Sequence, residues 1–110
     1  MEKRRMLKMT EIERNMLNRA LTDRLGILHG ESHQQVLELL EKIDLIKDSK
    51  LYMTIEDYDH IMLALNDLRN AYIVAGHSGG GIAKVILRVM RTRYKRVPEE
   101  YLEMESEIDI

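Results

Sequence analysis

Four stripes of apolar residues, each recurring every three or four positions, run through this chain. Ile12, Met16, Ala20, Leu21, Leu25 and Leu28 make the first, and Val36, Leu39, Leu40, Ile43 and Ile46 the second. Tyr58, Ile61, Met62, Leu65, Leu68 and Tyr72 make the third. Ile82, Val85, Ile86, Val89 and Met90, with Tyr94 beyond them, make the fourth. A helix of 3.6 residues per turn brings such positions onto one side, so each stripe reads as the buried face of an amphipathic helix. The start signals agree. Thr10 with Glu13, and Thr54 with Asp57, stand at capping-box spacing, and Glu31 or Ser32 opens the second helix. All six glycines fall in two places, Gly26 and Gly30, then Gly76, Gly79, Gly80 and Gly81, which mark two tight connections. The segment KDSKLYM supplies the middle connection. Pro98 ends the fourth helix or starts a short fifth.

These spacings predict an all-α fold. The expectation is a single helical domain over 1–110, with helices at about 10–28, 32–47, 54–75 and 80–96 and an acidic tail at 98–110. Two helical hairpins would pack as a four-helix bundle. The rival is a hairpin arrangement whose core closes only on dimerisation. A faint repeat supports two equivalent halves. At a shift of 44 positions, Met9, Thr10, Ala20, Leu21, Asp23 and His33 fall on Met53, Thr54, Ala64, Leu65, Asp67 and His77. In an up-down-up-down bundle the first and third connections share one end. That would gather Arg24, His29, His33, Arg69 and His77 into a polar cluster.

Composition narrows the chemistry. A chain of 110 residues makes one domain with a modest core. It has no Phe and no Trp, so the core must be aliphatic, with eight Met as adaptable filler. It has no Cys, which excludes disulfides, thiolate metal sites and cysteine nucleophiles. No apolar run approaches the roughly 18 residues needed to span a bilayer. The opening MEKRRMLKMTEIER lacks the apolar stretch of a secretory signal. A cytoplasmic protein without membrane contact or cofactor is the expectation.

Net charge is close to neutral, but the charges are segregated. Between Arg69 and Val97 every charged residue is Lys or Arg, and after Pro98 every one is Asp or Glu. Such polarity bears on partners more than net charge does. Lys84, Arg88, Arg91 and Lys95, spaced i, i+4, i+7 and i+11, would share one face of the fourth helix. That face suits phosphate groups, or it docks the acidic tail. Ser78 and the amides of Gly79, Gly80 and Gly81, at the start of the same helix, would be further anion contacts. The glycine run is neither a P-loop nor a dinucleotide fingerprint, since no strand precedes it and no Lys-Ser/Thr pair closes it. Its bland reading is a wide turn.

The histidines do not make a metal site by spacing. His29 and His33 flank Glu31, but Gly30 interrupts the helix that would aim them together. The segment RLGILH, Arg24 to His29, resembles the R-x4-H motif of HEPN-type ribonucleases, which are small all-α proteins. The resemblance covers six residues and implies Arg24 steadying a phosphate while His29 supports RNA cleavage. Leu25 stands where that family usually has a polar residue. No paired carboxylates and no Ser/His/Asp set argue for another enzyme. The expectation is a non-catalytic binding or regulatory protein. It would inhibit or sequester a partner protein or a small, nucleotide-like anion. A HEPN-like nuclease and a nucleic-acid-binding regulator using the basic helix are the alternatives. Leu37, Leu45, Leu63, Ile73 and Val74, lying off the main stripes, also predict a homodimer.

Overall fold

The structure, a computed structural model, describes residues 1–108. Its elements run β1 (Lys3–Lys8), α1 (Glu11–Leu25), α2 (Gly30–Leu45), β2 (Lys50–Met53), α3 (Ile55–Val74), α4 (Gly80–Met90), β3 (Arg93–Arg96) and α5 (Glu99–Ser106). The strands form one antiparallel sheet in the order β2-β1-β3. The fold is therefore α+β, which corrects the all-α bundle. The basic opening segment is a strand, the middle connection contains another, and the fourth helix stops at Met90 instead of 96.

The helix starts follow from local chemistry. Thr10 accepts from the Glu13 amide at 3.1 Å while the Glu13 carboxylate accepts from the Thr10 amide at 2.9 Å. Thr54 and Asp57 repeat this reciprocal pair at 3.0 and 3.1 Å. Each box satisfies two amides that helix geometry leaves without partners. The second helix begins at Gly30 with His29 at its N-cap, two residues before Ser32. Its free C-terminal carbonyls are met from α1, where Arg14 donates to Ile43 O and Ile46 O at 2.9 and 2.8 Å.

Helical stripes and one sheet face meet in a single core. Leu7 and Leu51 from the sheet are fully buried with Leu17, Leu21, Val36, Ile43, Ile61, Leu65 and Val89 from the four long helices. Each such side chain contributes about 1.5–3 kcal/mol by leaving water.

The repeat at 44 positions is real in three dimensions, and it runs further than the two halves read from the sequence. Helices start at Glu11, Ile55 and Glu99, each 44 apart. The residues two positions before them, Met9, Met53 and Val97, are all buried. Leu7 pairs with Leu51, its own counterpart in the repeat, across the β1–β2 ladder. An antiparallel pair of equivalent strands meets at such a position only on a local two-fold axis. Two ionic clasps cross between the halves, their acids Glu13 and Asp57 being counterparts 44 positions apart. Glu13 of α1 takes Arg88 of α4, and Asp57 of α3 takes Lys42 of α2.

The expected acidic tail is largely a helix. Tyr101 of α5 lies edge-on to Tyr52 with ring centres 4.9 Å apart. Its hydroxyl accepts from Tyr52 N–H and donates to Tyr52 C=O, both at 3.1 Å. One phenol thus occupies backbone groups that a neighbouring strand would otherwise take. Glu105 accepts from Arg4 at 2.7 Å and from Lys42 at 2.8 Å. The acidic segment therefore docks beside β2 and α2, away from Lys84, Arg91 and Lys95. Asp109, also assigned to the tail, lies outside the described residues.

Candidate anion-binding groove

The basic stripe does not lie on one helix. Lys84 and Arg88 belong to α4, Arg91 is its C-cap, and Lys95 is on β3. All four nevertheless line one groove of about 560 Å³, joined by Lys8 of β1 and Arg93 of β3. Met6, Leu7, Leu87 and Thr92 complete its walls, and no acidic side chain among the described residues lines it. The groove exists because the β1–β3 ladder spans only four pairs, ending at Met6 opposite Arg93. Past that point the chain turns into α4 and leaves a notch beside Lys8.

The six cations are not equivalent. Arg88 donates to both oxygens of Glu13 at 2.9 Å and to Lys8 O at 2.7 Å. That hydrogen-bonded contact holds the Glu13 carboxyl below its ordinary range and raises Arg88 above its own. Arg88 is thereby a brace, half neutralised, that ties α4 to β1. Lys8, Lys84, Arg91, Arg93 and Lys95 are exposed, and none pairs with a carboxylate among the described residues. Five free cations around one concavity repel each other and focus a positive potential into it.

The glycine run stands at the opposite end of α4. The eleven residues of α4 separate Gly79 from Arg91, about 16 Å along the axis, so no small anion touches both. Gly76 has a left-handed backbone, φ +85°, where a side chain is strained. At Gly79 a Cβ would come 2.8 Å from Cγ of Arg69, so the glycine lets that side chain pack against the backbone. Ser78 Oγ accepts from the Gly80 amide at 3.2 Å. These contacts explain Gly76 as a turn and Gly79 as close packing.

Several residues of the expected polar cluster have partners of their own. Arg24 pairs with Asp67 at 2.7 Å. Arg69 lies on Gly79. His77 leans on Tyr72 with ring centres 6.0 Å apart, in a cavity shared with Arg19, Asp23 and Ser78. His29 caps α2 and His33 lies in its first turn. Among the described residues no three His, Asp or Glu side chains are placed to hold a metal ion. The all-α fold implied by the HEPN-like spacing is absent, and Arg24 is committed to Asp67.

Two features of this region escaped the sequence reading. Lys8 completes the groove, although only the β1–β3 pairing brings it beside Arg93. On the other face of β3, the Arg5 guanidinium lies 4.7 Å from the Tyr58 ring centre and 5.4 Å from that of Tyr94. No helix among the described residues is long and apolar enough to cross a membrane. No protein-family model, curated protein or solved structure matches the chain.

Proposed function

We propose that this chain is a non-catalytic binding protein whose ligand carries several phosphates and sits in the groove between α4, β1 and β3. The carrying observation is the convergence of Lys8, Lys84, Arg88, Arg91, Arg93 and Lys95 on one groove, with Glu13 pairing Arg88 and no acidic side chain among the lining residues described. A solvated charged surface ordinarily intersperses both signs. Here Glu13 reaches only Arg88 of the six, and Glu105 is held away from the groove by Arg4 and Lys42. An open groove ringed by point charges suits an extended polyanion, which exchanges released counterions for lysine and arginine contacts. Binding of this kind fits a regulator or sequestering factor. A cytoplasmic setting suits it and suits a chain without cysteine.

The test is a titration of the full chain against labelled nucleic acid and a panel of nucleotides at two salt concentrations. The expected result is binding that weakens steeply with salt and is lost in the double variant Arg91→Glu, Lys95→Glu. Neither residue belongs to an ion pair among the described residues, so folding should survive both changes. Absence of binding to every phosphate ligand at low salt would remove this reading.

A further inference from the structure

Resting on the phosphate reading above, we infer that the ligand is a single-stranded nucleic acid. Its backbone follows the cationic groove, and one base lies over the edge of β3 against Tyr94. The two faces of β3 are chemically opposite. Arg93 and Lys95 line the basic groove. Tyr94, next to both in sequence, points to the other face, since side chains alternate along a strand. There it lines a second cavity of about 470 Å³ with Tyr58, Met53, Ile55 and Arg5. Every residue of β3 is exposed and β3 is an outer strand of the sheet, so the strand carrying both sets of residues is open to solvent.

The second cavity has the chemistry of a base site. Tyr58, Tyr94, Met53 and Ile55 give it an apolar surface among the charged residues Glu2, Lys3, Arg4, Arg5 and Glu56, and Tyr94 and Ile55 are among the most exposed apolar side chains of the molecule. Arg5 fixes the Tyr94 ring. Its guanidinium lies between the two tyrosines and donates to Thr92 O at 3.0 Å and to Met90 O at 3.4 Å. The ring therefore presents a face without first having to be ordered. Glu2 and Glu56 also line this side. Lys3, Arg4 and Arg5 line it too, and Arg4 pairs with Glu2, which leaves Glu56 as a carboxylate that can accept from the amino group of a base. Backbone groups add to this. Tyr52 directs its N–H and C=O away from β1, and Val97 N–H donates to Glu2 O. Alternation along the ladders then turns the N–H and C=O of Tyr94 to the open edge. A duplex keeps its bases stacked inside and cannot offer one to this cavity, whereas a single strand can. Groove cations plus an aromatic face are the working parts of strand-selective binding.

The test uses the full chain with three probes of about twelve nucleotides: a single strand, the same strand made wholly abasic, and a duplex. The expected order is single strand tightest, with the abasic strand and the duplex each weaker by roughly tenfold. Tyr94→Ala should lower single-strand affinity to the abasic level, while Tyr94→Phe keeps it. Arg91→Glu with Lys95→Glu should abolish binding of every probe. Equal affinity for the abasic strand or the duplex overturns the base site and leaves the groove standing. So does indifference to Tyr94→Ala in a chain that still needs Arg91 and Lys95. Failure of all three probes to bind at low salt overturns both readings.

Discussion

Glu105 is the residue on which three elements close. Its carboxylate accepts from Arg4 of β1 and Lys42 of α2, and Lys42 also reaches Asp57 of α3 at 2.7 Å. Burial pushes the Glu105 carboxyl up, but the hydrogen bonds from Arg4 and Lys42 outweigh it and hold the group below its ordinary value near 4.5. The sign follows from linkage. A carboxyl depressed in the folded state adds stability that is fully present above its unfolded value and disappears as pH falls through the folded one. The protein should therefore lose stability steeply below about pH 4.5, and Glu105→Gln should flatten that slope. Chemical denaturation of both forms at a series of acidic pH values measures this. At neutral pH the same substitution should cost about 1–3 kcal/mol, because it leaves charge-assisted hydrogen bonds poorly met. Parallel acid limbs in the two forms would mean that Glu105 contributes no pH-dependent stability.

At the scale of elements, α5 shows why the final segment is not an idle tail. A short edge strand exposes N–H and C=O groups that invite another strand. Tyr101 meets those of Tyr52 with a single hydroxyl, and burial pushes that phenol well above its ordinary range, so it stays protonated and able to donate. Tyr101→Phe should cost about 1–3 kcal/mol, since it strands both backbone groups in a buried place. Removing residues 98–110 should do more. It deletes the phenol, uncovers Tyr52 and leaves Lys42 and Arg4 without Glu105. The expected outcome is a lower midpoint of unfolding and self-association that grows with concentration, read by thermal denaturation and light scattering. The sequence offered these acids the exposed cations of the basic stripe as partners, whereas Glu105 in fact meets the largely buried Arg4 and Lys42. A truncated chain as stable and as dispersed as the whole would refute the edge-capping role.

Across the whole molecule, two β-α-α units related by a local two-fold axis share one core, and each sends a cation from its second helix to the capping acid of the other. The arrangement makes the halves interdependent. A third strand and helix repeat the opening of the unit and close the sheet on one side of β1 and the edge of β2. Apolar residues remain outside: Leu63 is 49% exposed, Ile73 48% and Val74 88%. Surface of that kind on α3 is where we expect two copies to meet. Sedimentation at tens of micromolar should give twice the mass of 12.9 kDa, and Val74→Lys with Leu63→Lys should return the monomer. A monomeric wild-type chain would leave this face unexplained.

What the sequence by itself determined is what depends on near neighbours. The capping boxes join residues three apart, and the apolar stripes join residues one turn apart, so both are written in a short window. Hence the starts of α1 and α3 and nearly all the core of the helices were legible, as was the 44-residue repeat. The sheet was decided only by the tertiary structure. KRRMLK carries cations on both faces of β1, and Arg5 is covered by Tyr58 and Tyr94 instead of being replaced by an apolar residue. RYKR has no buried side chain at all. Neither strand shows an alternation of period two, because each is held by backbone bonds to residues about 40 to 90 positions away. The groove inherits that non-locality. Its cations could be read from the sequence as a basic run, but their convergence on one notch required β1 to lie between β2 and β3. The placing of Arg93 and Lys95 on one face of β3 and of Tyr94 on the other likewise appears only once the strand, and not a helix, sets where each side chain points.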